Sequence, residues 1–239
     1  MFRIALVLTG LLVASSLQAS DKNLEKVGQT LQSLYPATTF TEVRPSPVKG
    51  VYEVIMGKNV AYTDETGRYF MFGHMLDMSS QQDLTAELLE TLNRIDISTL
   101  PIEDSIKIVH GNGDRKLYLF SDPDCPYCKR LEKELQKLDN VTIYTFLYPI
   151  DELHPQAADK SRLVWCAKDQ EAAWKALMQQ GTPPANSEEG CQNPIERNVR
   201  LAKQLGIEGT PTMILENGKF AQGYMEISEL GTLLEGEKQ

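Results

Sequence analysis

The chain has 239 residues, 41% hydrophobic and 24% charged, a balance that excludes disordered and fibrous classes and suits one large domain or two modest ones. Its formal charge of −9 argues against nucleic acid as a partner, because phosphate binding needs a basic face.

At the N-terminus, Met1-Phe2-Arg3 carries one positive charge and Ile4 to Val13 is apolar, followed by the small and polar Ala14-Ser15-Ser16-Leu17-Gln18-Ala19. This is the layout of a secretory signal peptide, too short to span a bilayer. Residues 1–19 are expected to be removed after Ala19, leaving a soluble exported protein. Leu24, Val27, Leu31 and Leu34 then recur at helical spacing, predicting an amphipathic helix over 21–35 ended by Pro36. Four strand-like stretches follow, Phe40 to Val43, Val51 to Met56, Val60 to Thr63 and Arg68 to His74, broken at Gly57-Lys58-Asn59 and Asp64-Glu65-Thr66-Gly67. Pro45 and Pro47 keep their segment out of a central strand. A unit of this size over 20–80 is marginal alone and gains stability by pairing an edge strand with a copy of itself. It holds no cysteine. His74 lacks a partner at metal spacing and reads as an ordinary strand histidine, while Met56, Met71, Met75 and Met78 read as core or interface filler.

Leu84, Leu88, Leu92 and Ile95, with Asp83 as cap, predict a helix over 82–96 with one apolar stripe. It makes residues 81–100 a candidate linker. From Ile106 the pattern turns α/β. Short strands are expected at Ile106 to Val109, Lys116 to Phe120 and Val141 to Tyr148, with a helix from the cysteine motif to about Leu138. Strand–helix–strand over these lengths implies a parallel, right-handed crossover. Helices are expected over His154 to Lys168, Glu171 to Gln180 and Ile195 to Leu205, with a loop over 181–194. Thr212 to Leu215 is a strand, Asn217-Gly218 a hairpin turn, Lys219 to Phe220 the start of its partner, and Ser228 to Leu234 a last helix.

The chemistry concentrates in Phe120-Ser121-Asp122-Pro123-Asp124-Cys125-Pro126-Tyr127-Cys128-Lys129-Arg130. A strand ending in Cys-x-x-Cys that opens a helix is a dithiol redox site in form. Free N–H groups and the dipole at the helix start favour a thiolate on Cys125, and Pro126 suits the first helical position. Asp122 and Asp124 oppose that thiolate if they lie close; Lys129 and Arg130 either offset them or read as a solvated helix face. The same spacing serves zinc, but two more ligands would be needed, and neither His110 nor His154 has suitable spacing, so no metal is expected. In an oxidising compartment four cysteines suggest pairs. Three connectivities are possible; the two-residue spacing favours Cys125–Cys128 and leaves Cys166 with Cys191. Closing that loop of about 25 residues stabilises by roughly 3.5 kcal/mol in the chain-entropy model.

The order strand, Cys-x-x-Cys helix, strand, helical insertion, helix, then Gly209-Thr210-Pro211-Thr212 leading into a hairpin resembles a thioredoxin fold. Together with the export signal, the cysteine-free β unit and the linker helix, it resembles the periplasmic disulfide isomerases of the DsbC/DsbG family. Val164-Trp165-Cys166-Ala167-Lys168-Asp169, Cys191 and Leu205-Gly206-Ile207-Glu208-Gly209-Thr210-Pro211 are similar to DsbC in particular. Pro126-Tyr127 between the cysteines is the DsbG dipeptide, where DsbC proteins carry Gly-Tyr.

The resemblance implies an α+β or α/β chain in three parts after the signal: an N-terminal dimerisation domain over 20–80, a linker helix over 81–100 and a thioredoxin-like catalytic domain with a helical insertion over 101–239. It implies a thiol:disulfide isomerase or reductase, periplasmic and homodimeric, that rearranges incorrect disulfides in exported proteins with a chaperone-like grip. Cys125 would attack and Cys128 resolve, with Pro126, Tyr127, Thr210 and Pro211 meeting the substrate and Pro211 in the cis form. Cys166 and Cys191 would form a structural disulfide. No cofactor beyond the redox-active Cys125–Cys128 pair is implied, and the electron donor would be a membrane thiol reductase of DsbD type. The alternatives are a DsbG-like sulfenic-acid reductase, a DsbA-like dithiol oxidase and a redox-independent holdase chaperone.

Overall fold

The computed structural model describes residues 14–184 and 190–235. Residues 1–13 of the expected signal segment, and 185–189 of the expected 181–194 loop, lie outside the described residues. The chain divides into two compact units that meet between Asn93 and Arg94.

The first unit opens with α1 (Ala14–Leu34), which ends where Pro36 disfavours helix for the residue before it. A four-stranded sheet follows in the order β1 (Glu42–Pro45), β2 (Val51–Met56), β3 (Asn59–Asp64), β4 (Phe70–Met71), with every neighbour antiparallel. Pro45 closes the edge strand β1, the place where a missing N–H costs no ladder bond. Successive side chains of β2 serve opposite faces. Val54 packs with Val27 and Leu31 of α1, and Ile55 joins Val60 and Tyr62 under the second helix. That helix is α2 (Leu84–Leu92), capped by Asp83, whose carboxylate accepts from the Ala86 N–H at 2.9 Å. Its Leu88, Leu89 and Leu92 pack against the first unit's own sheet. Between sheet and helix lie two short strands, β5 (Leu76–Asp77) and β6 (Gln82–Asp83).

The strand expected over Arg68 to His74 shrinks to Phe70–Met71 and leaves a run of exposed apolar side chains: Tyr69, Met71, Phe72, Leu76 and Met78, with Phe72 at 75% and Met78 at 80% exposure.

The second unit holds a five-stranded sheet, ordered β11 (Phe220–Gln222), β10 (Thr212–Leu215), β8 (Arg115–Ser121), β9 (Val141–Leu147), β7 (Ile106–His110). Only β8 and β9 run parallel, joined through α3 (Pro126–Leu135) as the crossover expects. Central strands in a sheet covered on both faces read as unbroken apolar runs, which is why Leu117 to Phe120 shows no alternation. Leu117 and Leu119 face α3, α5 (Gln170–Gln180) and α7 (Ile227–Glu235), through Leu131, Leu135, Trp174, Leu177 and Leu230. Tyr118 and Phe120 face Phe146, Tyr148 and Ala202 of α6 (Ile195–Leu205), with the Phe120 and Phe146 rings stacked at 4.9 Å.

Several boundaries moved, among them the helix expected over 82–96, which spans Leu84–Leu92, and the one expected to Lys168, which ends at Trp165. The helix expected from His154 begins at Ala157 as α4 (Ala157–Trp165), because His154 precedes a proline and its N–H instead bonds the Ile150 carbonyl at 2.9 Å. The helix expected to Leu138 ends at Leu135, after which the Lys137 and Leu138 N–H groups bond carbonyls three residues back. At Asn217-Gly218, Gly218 has φ +82°, and an added Cβ would meet the Ile95 carbonyl at 2.1 Å, so only glycine fits this turn.

Candidate active site

β8 carries the chain to Ser121 at the end of the sheet, and Asp122-Pro123-Asp124 turns it into α3. Cys125 is the residue before the first helical one, at φ −66° and ψ 122°, and Pro126 takes the first helical position. The Cys125 N–H bonds the Asp122 carbonyl at 3.2 Å, and its own carbonyl accepts the Lys129 N–H at 3.1 Å. Cys128 sits one turn along on the inner face of the helix. Both cysteines are thiols, with Cys125 5% and Cys128 2% exposed.

Opposite them lies the loop before β10. The Thr210–Pro211 bond is cis, and the loop is held by Gly223 N–H on the Pro211 carbonyl at 2.8 Å and by the Thr212 hydroxyl on the Gly209 carbonyl at 2.8 Å. The Cys125 thiol donates to the Thr210 carbonyl at 3.4 Å. Tyr127 stands exposed beside the pair, whereas Pro211 is buried.

The two thiols are pushed in opposite directions. Cys125 is lowered to about 5, chiefly by its hydrogen bond with the Cys128 thiol. The Cys128 N–H, the Thr210 side chain and the Tyr127 N–H add to this, while burial opposes it. Two of those donors are the free N–H groups at a helix start, the source the sequence suggested. Cys128 is pushed far up, first by burial and then by its partner; the Ser121 hydroxyl and the Asp122 N–H pull the other way. Of the two buried thiols, this arrangement favours ionisation of Cys125 and keeps the proton on Cys128.

The acidic residues beside the site have partners that the sequence did not reveal. Asp122 is fully buried and accepts from the Asp124 N–H at 2.7 Å, the Ile150 N–H at 2.8 Å and the His154 ring at 3.0 Å. Asp124 accepts two bonds from Lys160 of α4, at 2.7 and 2.8 Å, with Lys129 at 3.7 Å. Nor are Lys129 and Arg130 a merely solvated face: the Arg130 guanidinium lies 4.2 Å over the Tyr224 ring. Glu132, four residues after Cys128 on α3, is buried and accepts from the Trp174 indole at 3.3 Å. Burial pushes its carboxyl up to about 7.

Cys166 and Cys191 are disulfide-bonded. Cys166 ends α4, and the neighbouring Trp165 indole donates to the Gln192 carbonyl at 3.2 Å. Among the described residues no cluster of three or more histidines, cysteines and carboxylates is placed to hold a metal, and no helix is long and apolar enough to cross a membrane.

Two family models match this chain, a thioredoxin-like domain over residues 102–237 and a disulfide bond isomerase protein N-terminal domain over residues 16–86. A probable thiol:disulfide interchange protein DsbC of Bordetella parapertussis is 36% identical over 215 residues, covering 90% of this chain and 75% of the relative. The thiol:disulfide interchange protein DsbC of Salmonella typhimurium is 31% identical, covering 83% of each chain. Among solved structures, a disulfide interchange protein from Neisseria gonorrhoeae is 41% identical and superposes with a TM-score of 0.56, covering 59% of this chain and 99% of that one. With its two-part fold matched along almost the whole length, the chain belongs to the DsbC family of thiol:disulfide interchange proteins.

Proposed function

We propose that the protein is a periplasmic thiol:disulfide isomerase, with Cys125 the nucleophile and Cys128 the resolving thiol. The observation that supports it is the pair of buried thiols with opposed acidities at a helix start, facing the Thr210–Pro211 loop. The Cys125 thiolate attacks one sulfur of a wrong disulfide in an exported protein. A bond forms from Cys125 to that sulfur, and the other substrate sulfur leaves as thiolate. If a second substrate thiolate then attacks the mixed disulfide, Cys125 is released as thiolate and the substrate keeps a rearranged bond with no net redox change. If Cys128 attacks Cys125 after losing its proton, the substrate leaves reduced and a Cys125–Cys128 disulfide forms. That branch needs a reductant, for which a membrane thiol reductase of DsbD type is the candidate. Tyr127 offers the substrate an apolar contact, and the backbone at Thr210 and Pro211 can pair with an extended chain.

The exposed apolar run from Tyr69 to Met78 beside the short edge strand β4 supports a homodimer through the first unit. Two sites in one assembly would grip an unfolded chain at two points and raise its effective concentration. Pro126-Tyr127 favours a second reading, reduction of sulfenic acids: the Cys125 thiolate attacks the substrate sulfur, the S–O bond breaks and hydroxide leaves as water on taking a proton, and Cys128 then attacks Cys125 in the mixed disulfide, releasing the substrate thiol and leaving a Cys125–Cys128 disulfide.

The test incubates Cys125→Ser and Cys128→Ser variants with a scrambled disulfide substrate. The Cys125 variant is expected to lose isomerisation, and the Cys128 variant to keep part of it while losing net reduction. Full activity of Cys125→Ser would overturn the assignment, and binding without either cysteine would leave a holdase. The redox state of the pair in the exported protein separates an isomerase, found reduced, from an oxidase, found oxidised.

A further inference from the structure

Two carboxylates in the turn before Cys125 should work against a thiolate there. Both are met by one segment, residues 149–160, which lies between β9 and the first turn of α4. Asp122 is met there by hydrogen bonds, from the Ile150 N–H and the His154 ring, in addition to that from the Asp124 N–H. Asp124, next to the nucleophile in sequence, receives a full positive charge: Lys160 Nζ donates to both of its oxygens, at 2.7 and 2.8 Å. The side chains are 25% and 18% exposed, so water screens the pair only in part. Lys129 stands at 3.7 Å from the same carboxylate, beyond hydrogen-bond length and more exposed. The Gly209–Pro211 loop brings no ionisable side chain to the thiols.

We propose that Lys160, reaching from the helical insertion, is a positioning residue that neutralises Asp124 beside the dithiol and thereby makes the Cys125–Cys128 disulfide easier to reduce. The inference rests on Cys125 being the nucleophile. When two glutathione thiols reduce the disulfide to the dithiol and leave oxidised glutathione, Cys125 becomes an anion about one residue from Asp124. With Lys160 in place that anion meets a hydrogen-bonded ion pair; without it, it meets a carboxylate whose nearest cation is the more exposed Lys129 at 3.7 Å. Asp124 is the residue before Cys125, and both members of its pair are partly exposed, so the reduced form is expected to lose a factor of about three to ten at most when the neutralising charge is removed. The helical insertion is then part of the redox site and not only a spacer.

The experiment measures the equilibrium of Lys160→Met, Asp124→Asn and the double variant with glutathione, and the thiolate absorbance of each between pH 3 and 9. Lys160→Met is expected to shift the equilibrium about three- to tenfold toward the disulfide and to move the titration upward. The double variant lacks the same bridge but also lacks the carboxylate, and is expected to return to the wild-type value. Lys160→Arg should rescue. If the single and double variants shift alike, Lys160 is a structural latch and the proposal fails; it fails also if Lys160→Met changes nothing. If the thiolate signal persists in Cys125→Ser, the underlying assignment of the nucleophile is what has failed.

Discussion

Replacing Glu132 by Gln should alter how stability depends on pH more than it alters stability itself. The carboxyl sits inside the core formed by α3 and α5, with the Trp174 indole N–H as its hydrogen-bond donor. Burial raises it from 4.5 to about 7, against weaker opposing pulls from Trp174 and Lys175. A carboxyl raised in the folded state is protonated there while the unfolded chain has already ionised. Its contribution is therefore complete below pH 4.5 and is lost as pH rises through about 7. That interval, at a factor of ten in the folding equilibrium per pH unit, amounts to about 3 kcal/mol. Glutamine keeps an oxygen for the Trp174 N–H and has nothing to ionise. Urea unfolding of both proteins from pH 5 to pH 8 checks this, with the difference between them isolating Glu132 because the other groups titrate in both. The gap is expected to move in favour of Glu132→Gln by about 2 to 3 kcal/mol across that range. A gap that stays constant would mean the carboxylate is buried as an anion, and would refute the reasoning.

Replacing both Cys166 and Cys191 by Ala should lower stability by roughly 3.5 kcal/mol, from the 25-residue separation that the disulfide closes, while leaving the glutathione equilibrium of Cys125 and Cys128 unchanged; a changed equilibrium would make this bond part of the redox chemistry. Phe72→Asp, a charge placed in the exposed apolar run of the first unit, is expected to give a monomer by sedimentation that still reduces a small disulfide but isomerises a scrambled protein poorly. A dimer that persists would place the pairing surface elsewhere.

Much of the second unit was legible because its signals are local. The apolar run within Lys116 to Phe120, and the alternation with β-branched and aromatic residues over Val141 to Tyr148, placed these strands within a residue or two of β8 and β9. A single apolar stripe placed Ile195 to Leu205 to the residue. The first unit was less legible around residues 68–78, where a strand-like stretch bounded by turn residues suggested one strand from Arg68 to His74. Too few neighbours lie there to bury its apolar side chains, and only Phe70–Met71 pairs with β3.

What the sequence determined by itself is the dithiol: two cysteines at a helix start, a proline where a helix tolerates one, and the strand that carries them there. It also determined the facing Thr210-Pro211 loop through its resemblance. Tertiary structure alone decided the charge around that dithiol. Asp122 and Asp124 read as liabilities in sequence, and gain the Ile150, His154 and Lys160 partners only when residues 28 to 36 positions away fold over them. Ion pairs and buried carboxylates take their energy from distance and water exclusion, and neither is encoded in any local spacing.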